Sequence, residues 1–300
     1  MHLHTHVDFF LRTFANCAWF DILTRENVHS LRDTHTYICV PCCAYVYMSY
    51  FLRTRVQCFL PDRFQTHSPI VSPSEYTRLW VEEVASKFEV AEVRTGHKTQ
   101  SAPLLTRMGD RFSTWDLGNG LRSLIPTLMT SSVLGYAFCL PDMVGGNAYF
   151  GRTPNGELMC RWAQVNALMP AIQFSIAPWD AGEKTLSVTR EALRIRQRLT
   201  KKMLALADEA CVSLEPICRP MWWLDPEDKN TYAIDDQFAI GDDVVVAPVV
   251  SEGKNSRDIY LPCGQWVEIG DPRRSRIEGG QWLRNFSAPL EKLPVFERVV

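Results

Sequence analysis

Two rhythms of polar and apolar positions run along this chain. Between residues 60 and 234, helical stripes alternate with short, continuously apolar runs. The segment "SPSEYTRLWVEEVASKF" (72–88) opens on Ser72, with Pro73 at the first helical position and Glu75 three residues after the serine. That is the pattern of a capped helix start. Tyr76, Leu79, Trp80, Val84 and Phe88 then recur at helical spacing. "VAEVRTG" (90–96) predicts a strand, and "LGNGLRSLIPTLMTSSVL" (117–134) a helix kinked at Pro126. "GYAFCLPD" (135–142) predicts a second strand that runs into the turn "MVGGN". A helix and short strand follow over 156–175, and then a long helix over 183–210 with Leu186, Leu193, Leu199, Met203 and Leu206 on one stripe. "RPMWWLDP" (219–226) closes the series as a further strand. Continuously apolar strands between helices predict parallel strands buried on both faces. From residue 235 the rhythm changes: "DDVVVAPVV", "RDIYLP", "GQWVEIG" and "PLEKLPVF" are short strands punctuated by Gly, Pro, Asn and Asp, the pattern of a small antiparallel β domain.

Residues 1–59 fit neither rhythm and stay unassigned. His2, His4 and His6 alternate there without an accompanying Cys or carboxylate cluster, so chance explains them. The run "YICVPCCAYVYMSYF" (37–51) contains Pro41 and falls short of the roughly 20 residues of a spanning helix. Neither a membrane anchor nor a signal peptide is expected in this chain.

Composition narrows the function classes. With 300 residues, 46% of them hydrophobic, and a net charge of -2, the chain is long and apolar enough for a real core. Without a basic surplus, nucleic acid is not an expected partner. Five of the ten cysteines fall within the first sixty residues, but no pair with the short spacing of zinc ligands is followed by a second such pair, so no metal is expected. The nine tryptophans supply flat apolar faces with one polar handle, which sugar sites use; any single one is core filler first.

Ligands of parallel α/β folds sit at the C-terminal strand ends. Arg94 closes "AEVR", Asp142 closes "YAFCLPD", Asp225 closes "MWWLD", and Asp110 lies in the loop "RMGDRFSTW". One such carboxylate is ordinarily a cap or turn residue. Several at equivalent strand ends are what a barrel site consists of. Cleavage of a glycosidic bond needs a pair of carboxyls, aromatic walls and polar groups for the sugar hydroxyls. The residue types fit, but periodicity does not select the pair.

The ordered series "AEVRTG…RMGDRFSTWDLGNG…GYAFCLPDMVGGNAY", continued by "ELMCRWAQVNALMPAIQFSIAPWD", "PICRPMWWLDPED" and "DDQFAIGDDVVVAPVV…SRDIYLPCGQWVE", resembles glycoside hydrolase family 31, the retaining α-glucosidases and α-galactosidases. Within that family it looks closest to the myogenesis-regulating branch. The resemblance covers roughly residues 60–300. It implies an α/β fold, the C-terminal half of a (β/α)8 TIM barrel over 60–234, followed by an antiparallel β-sandwich over 235–300. It also implies hydrolysis of an α-linked glucoside or galactoside with retention, a carbohydrate partner, no cofactor, and a secretory-pathway location. Carried over residue by residue, the family's Gly-Asp motif gives the general acid/base role to Asp110. A substrate-binding arginine matches Arg94, and an aspartate that binds sugar hydroxyls matches Asp142. Arg107 stands where a tryptophan is typical, and Ser175 where many relatives have a histidine. Trp222 and Trp223 stay open between aromatic wall and core.

The nucleophile position is not filled. The family's nucleophile segment precedes a Leu-Pro that matches Leu60-Pro61, which puts the aspartate at or near Arg53, and no carboxylate lies between Asp33 and Asp62. A retaining glycosidase needs two carboxyls about 5–5.5 Å apart, one of them to form the glycosyl-enzyme. The competing expectation is therefore a sugar-binding chain without turnover, or a truncated product.

Overall fold

The computed structural model describes residues 72–88 and 91–299, with the Phe150 side chain left aside; the readings for 1–59, the three histidines included, lie outside the described residues. The chain divides into two compact units at residues 107 and 108.

In the first unit, α1 (Pro73–Lys87) starts where the sequence predicts, with Ser72 Oγ accepting the Glu75 N–H at 3.2 Å. The Glu75 side chain accepts from Arg78 Nε at 3.0 Å, and Arg78 also binds Glu82, so an ion-paired helix face takes the place of the reciprocal half of the capping box. Val81 and Val84 pack with Ala91, Val93 and Leu104. β1 (Glu92–Val93) pairs in parallel with β2 (Leu105–Arg107), setting Glu92 opposite Leu105. The pairing is parallel as expected, although β1 is far shorter than the apolar run that predicts it.

In the second unit, a 3-10 turn at Leu121–Ser123 leads into α2 (Leu124–Val133). Pro126 makes no kink. It sits in the first helical turn, where backbone N–H groups have no intrahelical acceptor and proline loses nothing. β3 (Cys139–Leu140) follows, and Leu140 O accepts the Met108 N–H at 2.9 Å. α3 (Gly156–Ala167) is capped by Asn155, whose Oδ1 accepts the Leu158 N–H at 2.7 Å. The strand predicted after α3 is reduced to one parallel bridge between Val144 and Phe174. α4 (Glu183–Ser213) buries Leu186, Leu193, Leu199 and Met203, the stripe read from the sequence. "RPMWWLDP" is not a strand. β4 spans only Cys218–Arg219, and at Pro220, which has no N–H for a ladder, the chain turns into the single helical turn α5 (Met221–Leu224).

The remainder is β5 (Phe238–Ile240), β6 (Val244–Val246), β7 (Ser256–Leu261), β8 (Gln265–Glu268), β9 (Arg276–Glu278), β10 (Gln281–Ser287) and β11 (Val295–Val299). A six-stranded sheet runs β4-β5-β6-β11-β8-β9, and β10 pairs with β7. Every pairing described within these two sheets is antiparallel. Val245, Trp266 and Phe296 of the first share a core with Ile259 and Leu261 of the second, which makes a sandwich. The antiparallel sheet thus begins at β4, before the change of composition at residue 235. β5, β9 and β10 escape the sequence reading. β5 is too short to show alternation, and β10 is largely exposed and irregular between Leu283 and Phe286.

Arg161 ties α3 to the sandwich. Fully buried, its guanidinium donates to the carbonyls of Lys254 (2.8 Å), Ala288 (3.0 Å) and Pro289 (3.3 Å), while Gln164 Nε2 donates to Leu290 O at 2.7 Å. Burial holds this guanidinium below its ordinary range, and the charge of Glu157 partly offsets it. Arg161→Met strands three carbonyls, and we expect it to lower unfolding free energy by about 3 kcal/mol in urea titration. The exposed Arg194→Met is expected to stay within about 0.5 kcal/mol. Equal losses for the two variants would refute the tie.

Burial also pushes the Cys139 thiol up to about 12 and the Cys218 thiol up as well. The unfolded chain releases these protons near the ordinary thiol value of 9.0, whereas the folded chain keeps them. The folded state therefore binds more protons above that value, and stability present below it is lost as pH rises toward 12. Thermal melts of wild type and Cys139→Ala/Cys218→Ala at neutral and at alkaline pH check this: the wild type should lose more on the alkaline side than the double variant.

Candidate active site

The loop after β2 hangs on the side chain that follows the candidate acid. Arg111 turns inward and is buried: Nη1 donates to Asn119 Oδ1 and Nη2 to Thr127 Oγ1, each at 2.9 Å. Burial lowers its guanidinium from the ordinary value, and the charge of Asp142 acts in the opposite direction. The Arg111 N–H donates to Asp142 Oδ2 at 2.9 Å, and Arg111 O accepts from Asn147 through both its backbone N–H (2.9 Å) and Nδ2 (3.2 Å). Asn147 Nδ2 also binds Asp142 Oδ2. One residue earlier, Asp110 O accepts from Asn119 Nδ2 at 3.0 Å. The carbonyls on both sides of the 110–111 peptide are thus held, and the half-buried Asp110 carboxylate rests on a fixed backbone.

Two turns make this clamp. In the first, Asp116 Oδ1 accepts the Asn119 N–H at 2.9 Å and its other oxygen accepts the Thr114 hydroxyl; these bonds, the hydroxyl first, lower the Asp116 carboxyl from its usual range. Gly120 closes the turn, since a Cβ there would lie 2.5 Å from Thr114 O. In the second, Gly146 has φ +76, and a Cβ would meet the Phe112 carbonyl carbon at 2.8 Å, so only glycine lets Asn147 reach Arg111. Ala148 then takes a left-handed φ of 50° with its N–H on Ser113 Oγ at 3.0 Å, and the Tyr149 hydroxyl donates to Asp110 Oδ2. The rings of Phe112 and Tyr149 meet edge to face, with centroids 6.1 Å apart.

Asp110 and Asp142 are therefore brought together through one peptide group. Asp142 itself has no exposed surface, and Asn166 Nδ2 donates to its carbonyl at 3.3 Å. In this structure its carboxylate holds the loop instead of facing solvent. Arg94 lies just past β1 in the first unit, half-buried. Arg107, also in the first unit, is sealed and pairs with Glu92 at 2.8 Å. In the second unit, Ser175 is exposed directly after the bridging Phe174. Trp223 lies 5.8 Å from the Arg219 guanidinium, Trp222 stacks on it tilted at 5.9 Å, and Asp225 ends α5 as a turn residue. The sequence reading missed Arg111, Asn119, Asn147 and Tyr149. The available signal was asparagine beside glycine in both turns that flank Asp110, "LGNG" and "GGNAY". Among the described residues, no group of three His, Cys, Asp or Glu can hold a metal ion, and no helix is long and apolar enough to cross a membrane.

Residues 94–205 match the TIM-barrel domain of glycosyl hydrolases family 31, and residues 214–299 match the family's C-terminal domain. The myogenesis-regulating glycosidase of Mus musculus is 43% identical over 217 residues, which are 69% of this chain and 30% of that protein. A GH31 alpha-xylosidase from a soil metagenome, solved with xylose, superposes with a TM-score of 0.64 at 26% identity over 76% of this chain and 37% of that one. The cycloalternan-degrading enzyme of Trueperella pyogenes, solved in complex with covalent intermediate, gives 0.66 at 25% identity over 76% of this chain and 33% of its own. This chain thus spans less than half the length of each of these relatives. The fold class is the C-terminal half of a (β/α)8 TIM barrel followed by an antiparallel β-sandwich. With barrel and C-terminal domains matched in sequence order, the chain belongs to glycoside hydrolase family 31.

Proposed function

We propose that this chain acts as a retaining α-glycosidase on an α-linked glucoside or galactoside, with Asp110 as general acid/base. The observation that carries the reading is a half-buried carboxylate on a backbone clamped at the carbonyls of residues 110 and 111. In the first step Asp110 gives its proton to the glycosidic oxygen as the C–O bond breaks and a second carboxylate bonds to the anomeric carbon. In the second, Asp110 takes a proton from water, which displaces that carboxylate. Such a group gains from a fixed backbone, because a misplacement of about 1 Å can cost on the order of 10²-fold in rate. The covalent intermediate in the Trueperella pyogenes enzyme supports retention. Asp142 enters the reading as the residue that positions Asp110, which is what its burial and partners support. Arg94 enters as a substrate-binding arginine on the family resemblance.

One observation favours a second reading, sugar binding without turnover: no carboxylate lies between Asp33 and Asp62 to act as nucleophile. Assays with nitrophenyl α-glucoside and α-galactoside, together with calorimetric binding of the parent sugars, separate the two. Under the first reading the wild type hydrolyses one of these substrates and Asp110→Asn lowers kcat by about 10²-fold or more. Binding without hydrolysis establishes the second reading, and absence of both refutes the two together.

The role of Asp142 is tested separately. If it positions Asp110, Asp142→Asn should lower kcat with little change in KM, and Asp142→Ala should also cost about 1–3 kcal/mol of stability by leaving the Arg111 N–H buried without its acceptor. A raised KM with unchanged kcat would make Asp142 a direct ligand of the sugar instead.

A further inference from the structure

Phe112 and Tyr149 are large aromatic side chains left 43% and 38% exposed on a backbone that is otherwise held in place. The Phe112 N–H donates to Asn119 O at 3.0 Å, and its carbonyl group lies against Gly146, where even a methyl group has no room. Tyr149 follows Ala148, a left-handed non-glycine residue, a conformation that costs roughly 1–2 kcal/mol and persists only where its surroundings enforce it. The enforcing contact is the Ser113 Oγ that holds the Ala148 N–H, one residue past Phe112. The strained turn therefore fixes Tyr149 beside Phe112 and sets its hydroxyl on Asp110, without burying either ring. Core packing does not account for two exposed rings set this firmly, one of them on the candidate acid.

We infer that Phe112 and Tyr149 form the platform that receives the leaving group of the glycoside. The inference rests on the reading of Asp110 as acid/base. A general acid must reach the glycosidic oxygen, so whatever lies beyond that oxygen passes next to Asp110 and its immediate neighbours. The Tyr149 hydroxyl touches the acid itself, and Phe112 is two residues along the same loop. Because the rings stand nearly perpendicular, one offers a flat face bordered by the other, which suits a leaving group with a flat, weakly polar face, the class that includes the second ring of a disaccharide. The platform then selects the leaving group, while recognition of the sugar that is cleaved lies elsewhere.

Methyl and phenyl 1-thio-α-glucosides and 1-thio-α-galactosides test this by calorimetry, since their sulfur linkage resists hydrolysis and the measurement needs no turnover. The wild type should bind the phenyl member of one pair more tightly than the methyl member. Phe112→Ala and Tyr149→Ala should each reduce that preference by about three- to tenfold, the range expected for loss of an aromatic contact. Phe112→Leu, which keeps apolar volume but loses the flat face, should reduce it as well, and Tyr149→Phe, which keeps the ring, should retain most of it. Thermal midpoints establish that each variant is folded. A methyl thioglycoside that binds with no phenyl gain, or a gain untouched by these substitutions, overturns the platform and leaves the reading of Asp110 standing. A gain lost on Trp222→Ala instead moves the platform to α5 and overturns it equally. If neither pair binds the wild type, the proposed function fails, and the platform with it.

Discussion

A carboxylate sealed from water, that of Asp142, accepts the backbone N–H of Arg111, and the candidate site is arranged around that bond. An ionised carboxylate placed beyond reach of water is costly unless donors surround it. Here the donors come from the loop that carries Asp110 and from Asn147, so removing either exposes the cost of the other. The neighbouring turns are subordinate to this arrangement. Gly146 exists so that Asn147 can approach, and Gly120 so that the Asp116 turn can present Asn119 to Asp110 O. A polar network is stabilising when its members are satisfied and costly when they are not, which makes the loop a unit that is either in place or absent.

Helix α3 links this unit to the sandwich. Asn166, near its C-terminal end, donates to the carbonyl of Asp142, and Arg161, just over one turn earlier, takes three carbonyls from the sandwich loops at 254 and 288–289. The helix also packs closely along α4 and is buried on nearly every side. A buried helix shifts as a rigid piece, so a displacement of the sandwich loops is felt at the carbonyl of Asp142. The sandwich is thereby part of what holds the candidate site.

Local chemistry made part of this legible. Ser72 and Pro73 announce α1, the leucine stripe announces α4, and the Gly-Asp turn puts Asp110 on a loop. What escaped was set by where an element begins or ends and by partners distant in sequence. Pro126 reads as a kink until the start of α2 is known, and "RPMWWLDP" reads as a strand until Pro220 is seen to end β4. "LPD" marks a strand end but cannot say that its carboxylate faces a peptide N–H 31 residues away. Arg107 stands where a tryptophan is typical, and nothing local in the sequence says that it pairs with Glu92. Hydrophobic pattern reports burial on average, and these four cases turn on which polar group meets which.

The same network bears on the missing nucleophile. Every hydrogen bond described here that fixes the main chain at Asp110 and Arg111 comes from residues 119, 142 and 147. Under the proposed function, the backbone that carries the acid/base is held by groups that follow it in the sequence. Sugar binding without turnover, the second reading, would rest on this clamp as much as hydrolysis does, because either needs the Asp110 loop held in place.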